Sequence, residues 1–211
     1  SNNNLALSPF AGTLNITGSQ IPAPDTLPTL LIAEGSTVAF EGGVWHVHGD
    51  ETATVAQAVT DGKMTHSLGS SLIAASYDSM AHSTTVQLRA PNALEAWRIL
   101  HFGSADNAGD GANDADTEKD GLKTLTEYGF GLSPSLSNAS SLPAPVLGAG
   151  TATYSFEEPA GVSGVIYSMM TSINLVDWDP VTDTGSGTTH TFVVPIGPDG
   201  NAFVKFGVTE L

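Results

Sequence analysis

Apolar residues along this chain switch between strand-like alternation and helical spacing, and the switches divide it into regions. Over residues 10–47 the short runs TLNITG, TLLIAEG, STVAFEGG and VWHVHG are separated by Gly and Pro. Each run is too brief to bury much alone, and Gly18, Gly35, Gly42 and Gly43 recur where turns are needed. Stacked rungs of a β-solenoid and a β-sandwich both satisfy this pattern. TATVAQAVTDGK then sets Val55 and Val59 at helical spacing among Ala53, Ala56 and Ala58, with Gly62 as a stop, which predicts a short helix. SLIAASYDSMAHSTTVQLRAP reads as a hairpin, its β-rich arms flanking a polar connection from Asp78 to Ser83 and ending near Pro91.

Beyond Pro91 the pattern turns helical. NALEAWRILHF offers Asn92 as N-cap with Glu95 three residues on, the signature of a capping box, and Leu94, Trp97, Leu100 and His101 follow helical spacing. Gly103 to Asp116 holds almost nothing to bury, and a second short helix, LKTLTEYGF, is closed by Gly131 and Pro134. The Ser/Pro/Gly stretch SLSNASSLPAPVLGAG is the best candidate for a domain boundary. Strand patterns at Ala152–Phe156, Val165–Met169, His190–Val194 and Ala202–Val208 then predict a compact antiparallel β-domain. The expected fold is mainly β. A β-rich region over 5–90 contains one short helix and a hairpin, a helical connector covers 91–134, and a β-sandwich module covers 146–211.

Composition narrows what this fold can do. The chain has 211 residues, 40% of them apolar, enough for a real core, and its 23 Gly and 12 Pro suit many tight connections between short strands. Its 22 acids against 6 bases give a net charge of −16, which repels phosphate backbones and anionic membranes, so no nucleic-acid partner is expected. Divalent cations suit it better. There is no cysteine, so thiolate metal sites, disulfides and thiol nucleophiles are excluded and any metal must take oxygen or histidine ligands. No apolar run approaches the ~18 residues of a membrane span, so no membrane insertion is expected. The opening SNNN reads as a trimmed start, so the lack of a leader there is uninformative.

The strongest chemical signal is the acidic rhythm in DADTEKDGLKTLTEY. A helix–loop–helix calcium loop offers oxygens at positions 1, 3, 5, 7, 9 and 12, with glycine at 6 for a sharp turn. With Asp116 at position 1, Glu118 falls at 3, Asp120 at 5 and Gly121 at 6. The Leu122 carbonyl serves at 7, Thr124 takes 9, directly or through water, and Glu127 supplies the bidentate carboxylate at 12. The competing reading is a solvated acidic loop. Upstream, Asp106 and Asp110 with Asn113 or Asp114 offer a second, irregular oxygen site, against which stands turn capping through Asx hydrogen bonds.

AWRILHFGSADNAGDGANDADTEKDGLKTLTEYGFGLSP resembles the junction near the C-termini of large secreted and surface proteins of verrucomicrobia and planctomycetes. There an aromatic helix and FG lead into an acidic DxDxDG calcium loop and an LLEYALG-xx-P segment. Thrombospondin type 3 and dockerin repeats use a similar loop. The resemblance implies Asp116, Glu118, Asp120, Leu122 and Glu127 as ligands, with Glu118 and Lys119 replacing the family's usual Asp and Gly. VIYSMMTSINLVDWDPV is similar to the β-module that follows that junction, through Tyr167, Ser172, Leu175 and Trp178. Residues 44–88 resemble the end unit of β-solenoid-like segments in the same proteins, a short helix followed by a two-strand hairpin. The resemblance implies a secreted or cell-surface, multidomain parent.

Other chemistry is weaker. His46 and His48 with Glu51 invite a metal reading, and His66, His82, His101 and His190 are further candidates, against ordinary strand histidines. No G-x-S-x-G, G-x-G-x-x-G or Walker loop is present. Glu41, Asp50, Glu157 and Asp177 are available carboxylates that nothing distinguishes as a catalytic pair. Trp45, Tyr77, Tyr154, Tyr167 and Trp178 are available as sugar platforms, against their use as core. The function expected is a calcium-stabilised, non-catalytic structural or display module whose partners are neighbouring domains of a larger chain. Carbohydrate binding, with a polysaccharide partner, is the alternative, and a fragment of a polysaccharide-degrading enzyme comes behind it.

Overall fold

The structure, a computed structural model, describes residues 6–7, 13–16, 31–32, 35–197 and 199–211. It is mainly β and divides into two compact units, 1–106 and 107–211. No helix among the described residues is long and apolar enough to cross a membrane.

The first unit contains β1 (Ala6–Leu7), β2 (Thr13–Ile16), β3 (Leu31–Ile32), β4 (Thr37–Phe40), β5 (Val44–His48), α1 (Thr52–Thr60), β6 (Met64–Thr65), β7 (Ile73–Asp78), β8 (Ser83–Leu88) and α2 (Ala93–Phe102). β1 pairs with β3, and β4 lies between β2 and β6, all in parallel, the pairing that stacked rungs require. β5, β8 and β7 form an antiparallel sheet, with the expected hairpin between β7 and β8. Alternation decides the faces of β5: Trp45 and Val47 turn inward while His46 and His48 turn outward. The core gathers Val38, Phe40, Trp45, Val47, Val86 and Met64 with Val55 and Ala58 of α1.

α2 begins as its sequence predicts. The Asn92 side chain accepts from Glu95 N, and Glu95 Oε2 accepts from Asn92 N. Its buried face differs from the expected apolar stripe. Leu94, Glu95 and Arg98 are buried, whereas Leu100 is exposed. The reason is electrostatic: Arg89 donates to both Glu95 oxygens at 2.7 and 2.6 Å, so a carboxylate can be buried with its charge matched. Glu95 is held below the usual carboxylate range chiefly by that Arg89 bond, against the opposing effect of burial.

The second unit holds α3 (Thr124–Gly129), β9 (Val146–Leu147), β10 (Thr151–Glu157), β11 (Val165–Ser172), β12 (Asp179–Val181), β13 (Thr189–Pro195) and β14 (Phe203–Glu210). Two three-stranded antiparallel sheets form, ordered β13-β10-β9 and β12-β11-β14. Ala152, Tyr154, Phe192 and Val194 of one sheet pack with Met169 of the other. α3 is bound into this sandwich. Gly129 lies so close to β14 that an added Cβ would meet both Val208 methyls at 2.9 Å, and Phe130 packs its ring on Phe156, Tyr167 and Phe206. The Tyr128 hydroxyl donates to Ser163 O and accepts from Ser163 N.

The division therefore falls within the expected 91–134 connector. α2 sits with the first unit, where Asp106 caps the N–H groups of Ser70 and Ser71, and the acidic loop sits with the second. The Ser/Pro/Gly stretch lies inside the second unit, because Val146 and Leu147 pair with β10 and the N–H groups of Asn138 and Ala139 donate to Asp120.

Candidate metal centre

The acidic loop runs from the segment after the 3-10 turn Gly109–Gly111 into α3. Its turn is folded by its own first residue: Asp116 Oδ1 accepts from Asp120 N and Oδ2 from Gly121 N, each at 3.1 Å. Gly121 takes φ +91° and Lys119 takes φ +60°, so two residues of the loop are left-handed, one of them with a side chain. Glycine at position 6 is the residue this turn asks for.

The turn brings Asp116, Glu118 and Asp120 together, with one carboxylate oxygen of each within 4.8 Å of the others. This acidic group could hold a metal ion. Glu127 reaches it from α3 and is fully buried. Both oxygens of Glu118 and both of Glu127 are buried, and no hydrogen-bond donor among the described residues reaches them. Two ionised carboxylates cannot satisfy each other; they can do so only if one holds a proton. Burial pushes Glu127 up to about 8, helped by the adjoining Glu118 and by the charges of Asp120 and Asp116. Four buried oxygens with no donor beside two further carboxylates suit either a cation or a shared proton.

Leu122 and Thr124, the two expected ligands that are not carboxylates, make further bonds within the loop. Leu122 is in the loop with its N–H donating to Asp120 Oδ1 at 2.9 Å. The Thr124 hydroxyl donates to the carbonyls of Asp110 and Ala115, so it braces the loop from the upstream segment. Thr124 N and Leu125 N also bond the Ala115 and Asn113 carbonyls. Asp120 has a double duty, since its Oδ2 accepts from Asn138 N and Ala139 N. Burial opposes its ionisation, but the N–H groups of Leu122, Asn138 and Ala139 outweigh it and hold the carboxyl below its usual range.

The expected second oxygen site does not assemble among the described residues. Asp106 gives its oxygens to Ser70 N and Ser71 N, Asn113 donates to Glu210, and the side chains of Asp110 and Asp114 are exposed.

Nor do the histidines converge on a metal among the described residues. His46 meets Thr85, His82 meets Tyr77, His66 lies 3.1 Å from Glu41, and His190 sits between Asp183 and Glu158 on the face of Phe156. Trp45, Tyr154 and Tyr167 are core residues, which removes them as exposed platforms. Ser172, Leu175 and Trp178 instead close a turn after β11: Ser172 Oγ accepts from Leu175 N, and Trp178 Nε1 donates to Leu175 O. No protein-family model, curated protein or solved structure matches this chain.

Proposed function

We propose that this chain is a calcium-stabilised, non-catalytic structural or display module of a secreted or cell-surface protein. The observation that carries the reading is the set of four buried, donorless oxygens on Glu118 and Glu127, facing Asp116 and Asp120. Hard carboxylate oxygens in an irregular loop suit calcium, which accepts six to eight oxygens in flexible geometry, better than magnesium, which demands an octahedron and keeps its waters. Asp116, Glu118, Asp120 and the Leu122 carbonyl would hold the ion with Glu127, whose two free oxygens suit the bidentate position. The ion would cancel the repulsion among these anions, and so the folding of the second unit would depend on it.

The placement of the loop supports a structural role. Asp120 is tied to residues 138–139, and the helix carrying Glu127 is packed into the sandwich, so an ion there would fasten three segments of one unit. The resemblance of the loop and of the following β-module to secreted and surface proteins supports the extracellular setting. Calorimetric titration of the chelator-treated chain tests the reading. A single calcium per chain, with magnesium far weaker and binding lost in Glu127→Gln, is expected. Absence of calcium binding at millimolar concentration would remove it.

A further inference from the structure

Calcium accepts six to eight oxygens, and the proposed ligands supply six: one each from Asp116, Glu118, Asp120 and the Leu122 carbonyl, and two from Glu127. Among the described residues, the buried side-chain oxygens that no donor reaches belong to Glu118, Glu127 and Asn138. Asn138 lies outside the loop, yet it is tied to both ends of it. Its N–H donates to Asp120 Oδ2 at 2.6 Å. Its Nδ2 donates to the Ser133 carbonyl at 2.8 Å, and the adjoining Leu132 N–H donates to the carbonyl of Glu127 itself, also at 2.8 Å. The bond to Ser133 fixes which way the amide faces, so the oxygen is the atom left unmet. Asn138 opens the 3-10 turn Ala139–Ser141, a position where an asparagine oxygen ordinarily caps its own turn. Here it makes no such bond and is buried instead. The short side chain keeps Oδ1 within about 7 Å of the Asp120 carboxylate, and oxygens on opposite sides of one calcium ion stand about 5 Å apart.

We infer that Asn138 Oδ1 is a further ligand of the ion, supplied from outside the loop, and that it selects calcium against magnesium. The inference rests on the calcium reading above. An amide oxygen suits the place chemically. Four carboxylates already exceed the charge of a divalent cation, so one more ligand is best neutral, and a buried carbonyl oxygen without a donor is neutral and in need of a partner. A seventh oxygen fits the pentagonal-bipyramidal shell that calcium adopts. Magnesium holds to an octahedron at shorter distances and keeps several waters, so it gains nothing from the extra group. Through Asn138 the ion fastens residues 133–138 directly, besides the N–H bonds that Asn138 and Ala139 give to Asp120.

The test compares the wild-type chain with Asn138→Ala and Asn138→Asp, using calorimetry with calcium and with magnesium, and terbium as a luminescent stand-in for calcium. Terbium lifetimes in light and heavy water count the waters on the bound ion, a readout that a merely structural role leaves unmoved. Asn138→Ala is expected to admit about one more water and to weaken calcium by about tenfold, with magnesium little changed. Asn138→Asp, which keeps an oxygen at that place, should hold the wild-type water count. The side-chain carbonyl carbon NMR signal of Asn138 in the wild-type chain should shift when calcium is added, a measurement that needs no variant to fold. A signal that stays in place at calcium saturation would overturn the inference. So would an unchanged water count in Asn138→Ala, whether or not its affinity falls, since Asn138 would then act only by packing or through a bound water. A wild-type chain that binds neither calcium nor terbium would remove the calcium reading itself, whereas either of the other two results overturns the role of Asn138 alone.

Discussion

Glu127 is buried against three other carboxylates, and its ionisation is resisted first by loss of water and then by its neighbours. The sign of its effect on the metal-free chain follows from linkage. Its folded pKa of about 8 lies above the ordinary 4.5, so between those values the folded state binds more protons than the unfolded state. Stability of the chelator-treated protein therefore falls as pH rises from about 5 to about 8. Calcium requires the deprotonated carboxylate, so its stabilising effect grows over the same range. Melts at both ends of the range should show the fall in EDTA, and the gap between the calcium and EDTA midpoints should widen. Glu127→Gln separates the same two effects: it should raise the melting temperature in EDTA at neutral pH, by removing the cost of protonating a carboxyl that is ionised in the unfolded chain, and abolish the increment from calcium. Lys119 offers a second test at this scale. It holds φ +60°, a conformation costing a side-chain-bearing residue roughly 1–2 kcal/mol, so Lys119→Gly should stabilise the loop by up to about 1 kcal/mol after the added chain entropy of glycine.

Among the elements, the local signals were legible and the long-range ones were not. The capping box of α2 could be read from Asn92 and Glu95 because both partners lie within one helical turn. Which face of α2 is buried could not, since it depends on Arg89, which lies on the far side of Pro91, giving both its terminal nitrogens to Glu95. The loop's convergence of Asp116, Glu118 and Asp120 was visible in their spacing. The diversion of the Thr124 hydroxyl to the Asp110 and Ala115 carbonyls was not, because backbone acceptors leave no mark in a sequence. The Ser/Pro/Gly stretch looked like a linker for the same reason: its N–H groups at 138–139 are held by a distant Asp120. Two variants check the element-level packing. Glu95→Ala loses both the return half of the capping box and the Arg89 pair and should cost about 2–3 kcal/mol in denaturant unfolding. Gly129→Ala crowds Val208 and should cost about 1–2 kcal/mol despite its better helix propensity.

At the scale of the whole molecule, a net charge of −16 works against compactness, and four clustered carboxylates concentrate that repulsion in the second unit. A bound divalent cation would offset it where it is greatest, which is why the proposed role is one of holding structure together. The most direct measurement is thermal unfolding of the chain in EDTA and in millimolar calcium. With calcium at about a hundredfold over its dissociation constant, the transition of the second unit should rise by on the order of 10–20 °C. The Asp120→Ala variant should melt at the same temperature in both buffers. Identical midpoints for the wild-type chain with calcium and with EDTA would contradict the calcium-stabilised module.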